Sequence, residues 1–443
     1  MSEGQATYDT RYLFRLTWPI FIELLLQMMI GNVDQMMISR YSQNSVAAIG
    51  NANQILNVLI ITFSIVSLAT TILVSQYIGS KNFSALSEIY TLAVMMNLVF
   101  SLVISGILIA FHPQIFSLMR IPAELLKETG TYISIISAGL FLQALFLTFS
   151  AIFRSNAMMK EIMFLSLIVN LINIGGNALL IPRFRIAGAA ISSDLSRLVG
   201  VIVIIFMFRR RFNTPISLKF LRPFPKKMCK RLLSIGLPAG GESISYNSAQ
   251  ICIQSLTNRL GLAVITTKVY VSIFATVSYM FASAVSQAAQ VLVGYLMGAK
   301  DTENTDRQVR QTFKMALLIT LVVSSLLFIF SSQIFSLFTS DPQVIALGRT
   351  IMGIEIALEL GRAANLVFVR SLQASGDIIF PIVVCVISAW CTGVGIGWLL
   401  SSVFDLGLAG IWIGMACDEC LRAVIFILRW KKGIWKTKTL LEE

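Results

Sequence analysis

The sequence predicts an all-α, polytopic membrane protein whose twelve transmembrane helices form two pseudo-symmetric bundles of six. Three observations predict it. Of the 443 residues, 56% are hydrophobic and only 13% charged, with a mean hydropathy of +0.79, far from the roughly half-apolar, quarter-charged usage of globular domains. Twelve apolar runs reach the ~20 residues a helix needs to cross hydrocarbon. The chain also matches itself at an offset of 219 residues from the first run to the third, as duplication of a six-helix unit in one orientation would leave it.

The runs lie near residues 13–38, 53–78, 89–111, 131–153, 161–181, 187–208, 232–257, 266–297, 314–338, 348–372, 379–402 and 406–428. They divide the chain into an N-terminal six-helix bundle (1–208), a basic linker (209–231), a C-terminal six-helix bundle (232–430) and a tail (431–443). Under the offset, Pro19 matches Pro238, Glu23 matches Glu242, Gln35 matches Gln254, Arg40 matches Arg259 and Lys81 matches Lys300. QIFSL occurs at 114–118 and again at 333–337, and Phe-Arg-Ser at 153–155 faces Val-Arg-Ser at 369–371. Two like bundles suit alternating access, in which a cavity opens first to one face and then to the other; duplication as a mere route to a large fold is the plainer reading.

An even number of spans puts both ends on one side. Span ends included, 24 of the 35 Lys and Arg fall on the side of the termini, 8 on the other and 3 within spans, which makes the terminal side cytoplasmic. The net charge of +13 therefore points to membrane lipids and not to nucleic acid, because its densest stretch, Arg209 to Arg231, joins two spans as a loop on an anionic leaflet should. The six cysteines sit singly or in apolar runs and read as buried, reduced thiols. Cys417 and Cys420 form a CxxC without a second pair or a nearby histidine, which leaves a metal or redox role unsupported. One histidine, His112, excludes a multi-histidine zinc site, and neither a GxGD pair nor a GxxxxGK[ST] loop occurs. A non-enzymatic protein without a cofactor, working as a monomer in the cell membrane, is expected.

Carboxylates inside spans cost a few kcal/mol on insertion scales and ask for a reason. Glu23 and Glu242 recur four residues after equivalent prolines, so two roles stand for them, bonding backbone freed by the proline or a functional one. Asp34 is different: its counterpart is Ile253. The architecture can be built without an acid there, which points to binding or exchange of a cation. Asp194 with Arg197, Glu359 with Arg362 and Asp418 with Arg422 are three or four apart and should neutralise each other. Glu355, one turn before Glu359, leaves an acid in surplus, open to a shared proton or a cation. Asp377 and Lys160 fall at loop ends and should be solvated.

A polar stripe supports Asp34. Asn170, Asn173 and Asn177 follow helical spacing in the fifth span, and Ser192 and Ser193 follow the small run Gly188, Ala189, Ala190 in the sixth. Together they supply the carboxylate, amide and hydroxyl oxygens a hard cation such as Na+ wants, with plain interhelical hydrogen bonding as the alternative. Methionines around Asp34, among them Met28 and Met36, are flexible enough to line a promiscuous cavity, or simply pack the core.

The stretches WPIFIELLLQMMIGNVDQMMISRYS, AAIGNANQ, VSQYIGSKN, FRSNAMMKEI, IAGAAISS and VRSLQASGDIIFP, in this order on twelve spans, resemble the multidrug and toxic compound extrusion (MATE) family. The resemblance implies a secondary antiporter that exports amphipathic, often cationic drugs in exchange for H+ or Na+. It implies a cation-coupling set of Asp34, Asn173, Asn177 and Ser193, with Na+ held at Asp34, Asn173 and Asn177. The substrate cavity is then expected to draw on Asp34, Met28, Met36 and Asn170, and a site known in the second bundle of some members implies Glu242 and Glu355 there. The family often has Asp where this chain has Asn177, which lowers the charge available for Na+. A lipid-linked oligosaccharide flippase of the same superfamily is the rival; it would require unpaired intramembrane arginines.

Overall fold

The computed structural model describes residues 9–438, 440 and 441, and among them every regular element is helical. In chain order these are α1 (Thr10–Ser39), α2 (Gln43–Gly79), α3 (Ser84–Leu118), α4 (Ala123–Ala138), α5 (Leu140–Ser155), α6 (Met159–Phe184), α7 (Ile186–Arg211), α8 (Lys226–Asn258), α9 (Leu262–Gly298), α10 (Thr302–Ile329), α11 (Ser331–Ser336), α12 (Pro342–Ser375), α13 (Ile379–Ser388) and α14 (Gly407–Lys431). Two π-helical stretches, Ala389–Ile396 and Leu399–Val403, continue α13. All twelve expected spans fall on these helices, although three are interrupted. The fourth is two helices, α4 and α5, bent by 49°. The bend sits at Gly139, where the Asp194 carboxylate of α7 occupies the place a Cβ would need. The ninth breaks at Phe330, between α10 and α11. The eleventh unwinds to π geometry, a form that appears mostly as local bulges in helices. Among the described residues eight helical segments, one of them α13 with its π continuation, are long and apolar enough to span a membrane by composition, and α4 with α5 makes a ninth.

The repeat is written in backbone geometry as well as in sequence. Lys81 and Lys300 both end their helices at φ 58°, and Ala157 and Gly376 end theirs at 58° and 97°. Both pairs are 219 apart. Each residue closes the same motif: Asn82 N–H bonds the Tyr77 carbonyl at 3.0 Å and Asp301 N–H the Leu296 carbonyl at 2.9 Å, while Met158 bonds Phe153 and Asp377 bonds Leu372. These are six-to-one Schellman closures, which satisfy carbonyls orphaned at a helix end.

The chain forms two compact units. One is Ile22–Gly240; the other joins the start of α1, through Phe21, to the chain from Gly241 onward. The two divisions fall at equivalent places in the repeat, three residues after Pro19 and Pro238.

In the unit Ile22–Gly240, Ile38, Ile49, Phe63, Ile133, Ile136, Ala189 and Ala190 share a buried core. Helices α6 and α7 form a hairpin whose backbones touch: a Cβ on Gly176 would collide with the Ser192 hydroxyl, and one on Gly188 with the Leu180 carbonyl. An aromatic knot of Tyr90, Phe149, Phe153, Phe208 and Phe212, with centroids 4.8–6.2 Å apart, fixes the end of α7. The basic segment that follows is tied down by Ser217 N–H to Thr91 Oγ1 at 3.2 Å and by Arg231 to the Tyr77 hydroxyl at 3.0 Å.

In the second unit α12 packs against α9, α10 and α14, and the π stretches reach α14 backbone to backbone, with Gly414 against Gly397. The chain beyond α14 folds back. Trp435 is fully buried, stacks on Trp430 at 4.1 Å and donates to the Trp430 carbonyl at 3.0 Å, while Trp430 donates to Asp306 at 2.8 Å. Trp435→Ala should therefore cost about 3–5 kcal/mol, the usual penalty for emptying a large aromatic site, visible as a lower melting temperature of the purified protein.

Two expectations need correcting here. Asp377 is not solvated: the turn after α12 folds onto α14, where Arg429 holds both carboxylate oxygens at 2.8 and 3.2 Å. The cysteines are free thiols, but only Cys385 is buried, while Cys391 and Cys417 face outward from their helices. In a chain bathed by lipid, an apolar thiol gains little from turning inward.

Candidate functional site

Asp34 lies in the C-terminal half of α1 and is 2% exposed. Its Oδ1 accepts a hydrogen bond from Asn177 Nδ2 at 2.6 Å and its Oδ2 one from the Ser193 hydroxyl at 2.8 Å. Asn173 Nδ2 donates in turn to Ser193 Oγ at 3.1 Å, and Ser192 Oγ donates to the Asn173 carbonyl at 2.8 Å. Three helices thus converge on one carboxylate, and local sequence explains how. Asn173 and Asn177 are one α6 turn apart. Gly176 and Gly188 let α7 approach α6 closely enough for Ser192 and Ser193 to reach across.

The donors are all neutral. No Lys or Arg among the described residues forms an ion pair with Asp34; Arg197, one turn further along α7, is held by Asp194 at 3.4 Å. Two oxygens are left over. Asn173 Oδ1 and Asn177 Oδ1 are buried and have no hydrogen-bond partner, and each such group costs about 1–3 kcal/mol unless something binds it. One carboxylate, two unbonded amide oxygens and a hydroxyl therefore meet in one place, the oxygen-rich donor set a hard monovalent cation requires. A substitution that fills the α6–α7 contact tests the construction. Gly176→Val should push Ser192 away, destabilise the hairpin by about 1–3 kcal/mol as overpacking does, and weaken cation binding measured by titration calorimetry.

The remaining sequence candidates separate from this cluster. Asn170 lies on the same face of α6 but turns its amide to the Ser166 carbonyl at 2.9 Å. Met28 and Met36 are 42% and 68% exposed and sit on other faces of α1 than Asp34. Glu242 and Glu355 belong to the second unit. Glu355 is buried and accepts from Trp412 Nε1 at 2.6 Å, and Glu242 is half-buried within the influence of Arg370 and Arg422.

The paired charges form as their spacing predicts. Arg362 bonds Glu359, and Arg422 bonds Asp418 at 2.5 Å. Sequence spacing missed the residue that joins the pairs: Glu419 accepts from Arg422 at 3.1 Å and from Asn365 at 2.7 Å, and lies 3.5 Å from Arg362. Its three-residue spacing to Arg422 was the available signal. Missed too was the partner of Glu23, which bonds Arg154 at the far end of α5 at 3.0 Å, and Gln27 at 3.0 Å, instead of backbone.

Comparison with known proteins decides the family. The MatE family profile matches twice, over residues 19–179 and 238–399, two copies whose starts are 219 residues apart. The chain belongs to the MatE family. An uncharacterized transporter of Bacillus subtilis, YisQ, is 35% identical over 432 residues, covering 96% of this chain and 95% of its own. A probable multidrug resistance protein NorM of Thermotoga maritima is 25% identical over 441 residues, covering 97% and 94%. Among solved structures, a MATE transporter in the bent conformation superposes with a TM-score of 0.89 at 19% identity, covering 96% of this chain and 95% of that one. The Vibrio cholerae MATE transporter VcmN in its bent form gives 0.89 at 18% identity, covering 97% and 98%. This MatE chain is a multi-pass membrane transporter with the MATE fold, and its family is one of transporters, not enzymes.

Proposed function

We propose that this MatE protein is a cation-coupled exporter of amphipathic, often cationic organic compounds, with Asp34 as the group that takes up H+ or Na+ in exchange. The observation that carries this reading is a buried carboxylate held by neutral donors alone, beside two amide oxygens without partners. An intramembrane carboxylate that served only folding would be expected to meet a basic partner, as Glu359 and Asp418 do.

The exchange follows from the hydrogen-bond inventory. While Asp34 is ionised, Asn177 and Ser193 donate to it and pin α1 against α6 and α7. A proton on Asp34 turns one acceptor oxygen into a donor, which suits an Asn oxygen in place of an Asn N–H; Na+ asks the same of the amides, since it binds oxygen only. Either cation thus rearranges the same bonds. Helix α1 is suited to respond, because no residue from 24 to 33 is buried and the polar contacts at Glu23 and Asp34 flank that stretch. Binding energy at Asp34 is thereby converted into a change in how α1 sits on its own bundle, the differential interaction any coupled conformational change requires. Drug leaves from a cavity beside this site, the termini and the basic segment face the cytoplasm of the cell membrane, and the monomer is the working unit.

The deciding experiment is efflux of a fluorescent organic cation from proteoliposomes under separately imposed Na+ and proton gradients. One or both gradients should drive efflux. Indifference to both would refute coupling. The flippase reading draws no support from these arginines: Arg197, Arg362 and Arg422 each bond an acid, so none of the three is free for a pyrophosphate-linked sugar. Rescue of an envelope-synthesis mutant would revive it.

A further inference from the structure

A second polar feature continues from Asp34 toward the end of the bundle that carries the basic segment 209–231. On α6, Ser166, Asn170, Asn173 and Asn177 are spaced by four, three and four residues, which places them within a sector of about 60° on one helical face. All four are at least nine-tenths buried. From Ser166 to Asn177 the stripe rises eleven residue steps, about 16 Å at 1.5 Å per residue, roughly half of a hydrocarbon core of about 30 Å. Its side chains are only partly spent on holding helices together: Asn177 and Asn173 donate to Asp34 and Ser193 through their amide nitrogens alone. Ser166 Oγ, Asn173 Oδ1 and Asn177 Oδ1 have no hydrogen-bond partner, and Asn170 Nδ2 turns back on its own helix. Apolar side chains would pack such a face without leaving buried oxygens unbonded.

Helix α1 carries a matching line. Glu23 precedes Asp34 by the same eleven residues, hence on the same face and about 16 Å away. Gln27 lies between them and donates to Glu23 Oε1 at 3.0 Å. Near the middle, Gly31 leaves room against the Asn53 amide of α2, 3.6 Å from where a Cβ would stand. Glu23 is fully buried, and Arg154 bonds its Oε1 at 3.0 Å. Its second oxygen, Oε2, has no partner. Arg154 closes α5 five residues before α6 begins at Met159, so both polar lines descend to the same end of the bundle.

We propose that this column is the inward release route of the coupling cation: from Asp34 it steps along the oxygens of Asn173, Asn170 and Ser166 and leaves past Glu23. The inference rests on Asp34 being the uptake site. A small cation, H+ or Na+, needs an oxygen every few ångströms to avoid desolvation, and the stripe supplies one at each turn. At the inner end Glu23 Oε2 attracts the cation, while Arg154 on the other oxygen keeps it from staying. Asp34 thus binds, and the column sets how fast the bound cation departs.

That division of labour gives the test. In proteoliposomes, Ser166→Val and the double variant Ser166→Val/Asn170→Leu should slow cation-coupled efflux by about tenfold, while equilibrium binding of the cation, titrated calorimetrically in detergent, stays within about twofold of wild type. Ser166→Thr, which keeps the hydroxyl, should restore the rate. The proposal fails if efflux by both variants stays near the wild-type rate, or if rate and binding fall together with Ser166→Thr giving no rescue, the result a purely structural role would produce. Asp34→Asn run in parallel separates the two readings. If it abolishes coupling while the Ser166 variants transport normally, only the route is wrong; if Asp34→Asn still couples, the site and the route fall together.

Discussion

Asp34→Asn should reduce gradient-driven efflux to the level of protein-free liposomes while leaving the protein folded. The amide fills the same volume, and its oxygen can keep one of the two bonds that Asn177 and Ser193 donate. Loss of the other costs about 1 kcal/mol, little against the stability of a twelve-span protein. What disappears is the negative charge that attracts the cation and the ability to exchange a proton. Expression, melting temperature and equilibrium drug binding should therefore stay close to wild type while transport is lost. Undiminished gradient-driven efflux by this variant would remove Asp34 from the coupling step.

The second large effect is expected at Asn177→Asp. Asn177 Nδ2 lies 2.6 Å from Asp34 Oδ1, so the substitution sets two carboxylates at hydrogen-bond distance in a buried site. Two such groups cannot both stay charged without a cation between them. The variant should bind H+ or Na+ at least about tenfold more tightly, equivalent to about 1.4 kcal/mol, and turn over more slowly because release becomes the difficult step. Cation titration by calorimetry alongside the efflux rate would register both. Weaker or unchanged binding would mean that the site is not arranged around a captured cation. Under the proposed function, Asn177 would leave one carboxylate to hold the cation loosely enough to let it go.

These two outcomes concern residues the sequence could nominate but not assemble. The spacing of Asn173 and Asn177 and the unmatched Asp34 single out the participants, because the repeat pairs Asp34 with Ile253 and a buried acid without a counterpart is conspicuous. Their meeting depends on Gly176 and Gly188 admitting α7 to contact distance of α6, a packing result that no spacing rule yields. The amide oxygens left without partners become visible only once every donor has been assigned an acceptor. Glu23 shows the limit most plainly. Its place inside a span was legible, but its partner Arg154 stands 131 residues away, and sequence alone offered bonding to proline-freed backbone and a functional role as equal choices.

Sequence alone determined the apolar runs, the bundle duplication and the faces on which polar groups fall, because hydrocarbon forces every span to satisfy its own backbone and so to declare itself as a long apolar run. The tertiary structure decided where helices bend, as at Gly139 beneath Asp194, and which charges find partners, as Glu419 does between Arg362 and Arg422. It also decided that Asp34 meets only neutral donors. Those outcomes turn on side chains from distant segments arriving within about 3 Å of one another, and periodicity along one helix fixes the direction in which a side chain points but not what meets it.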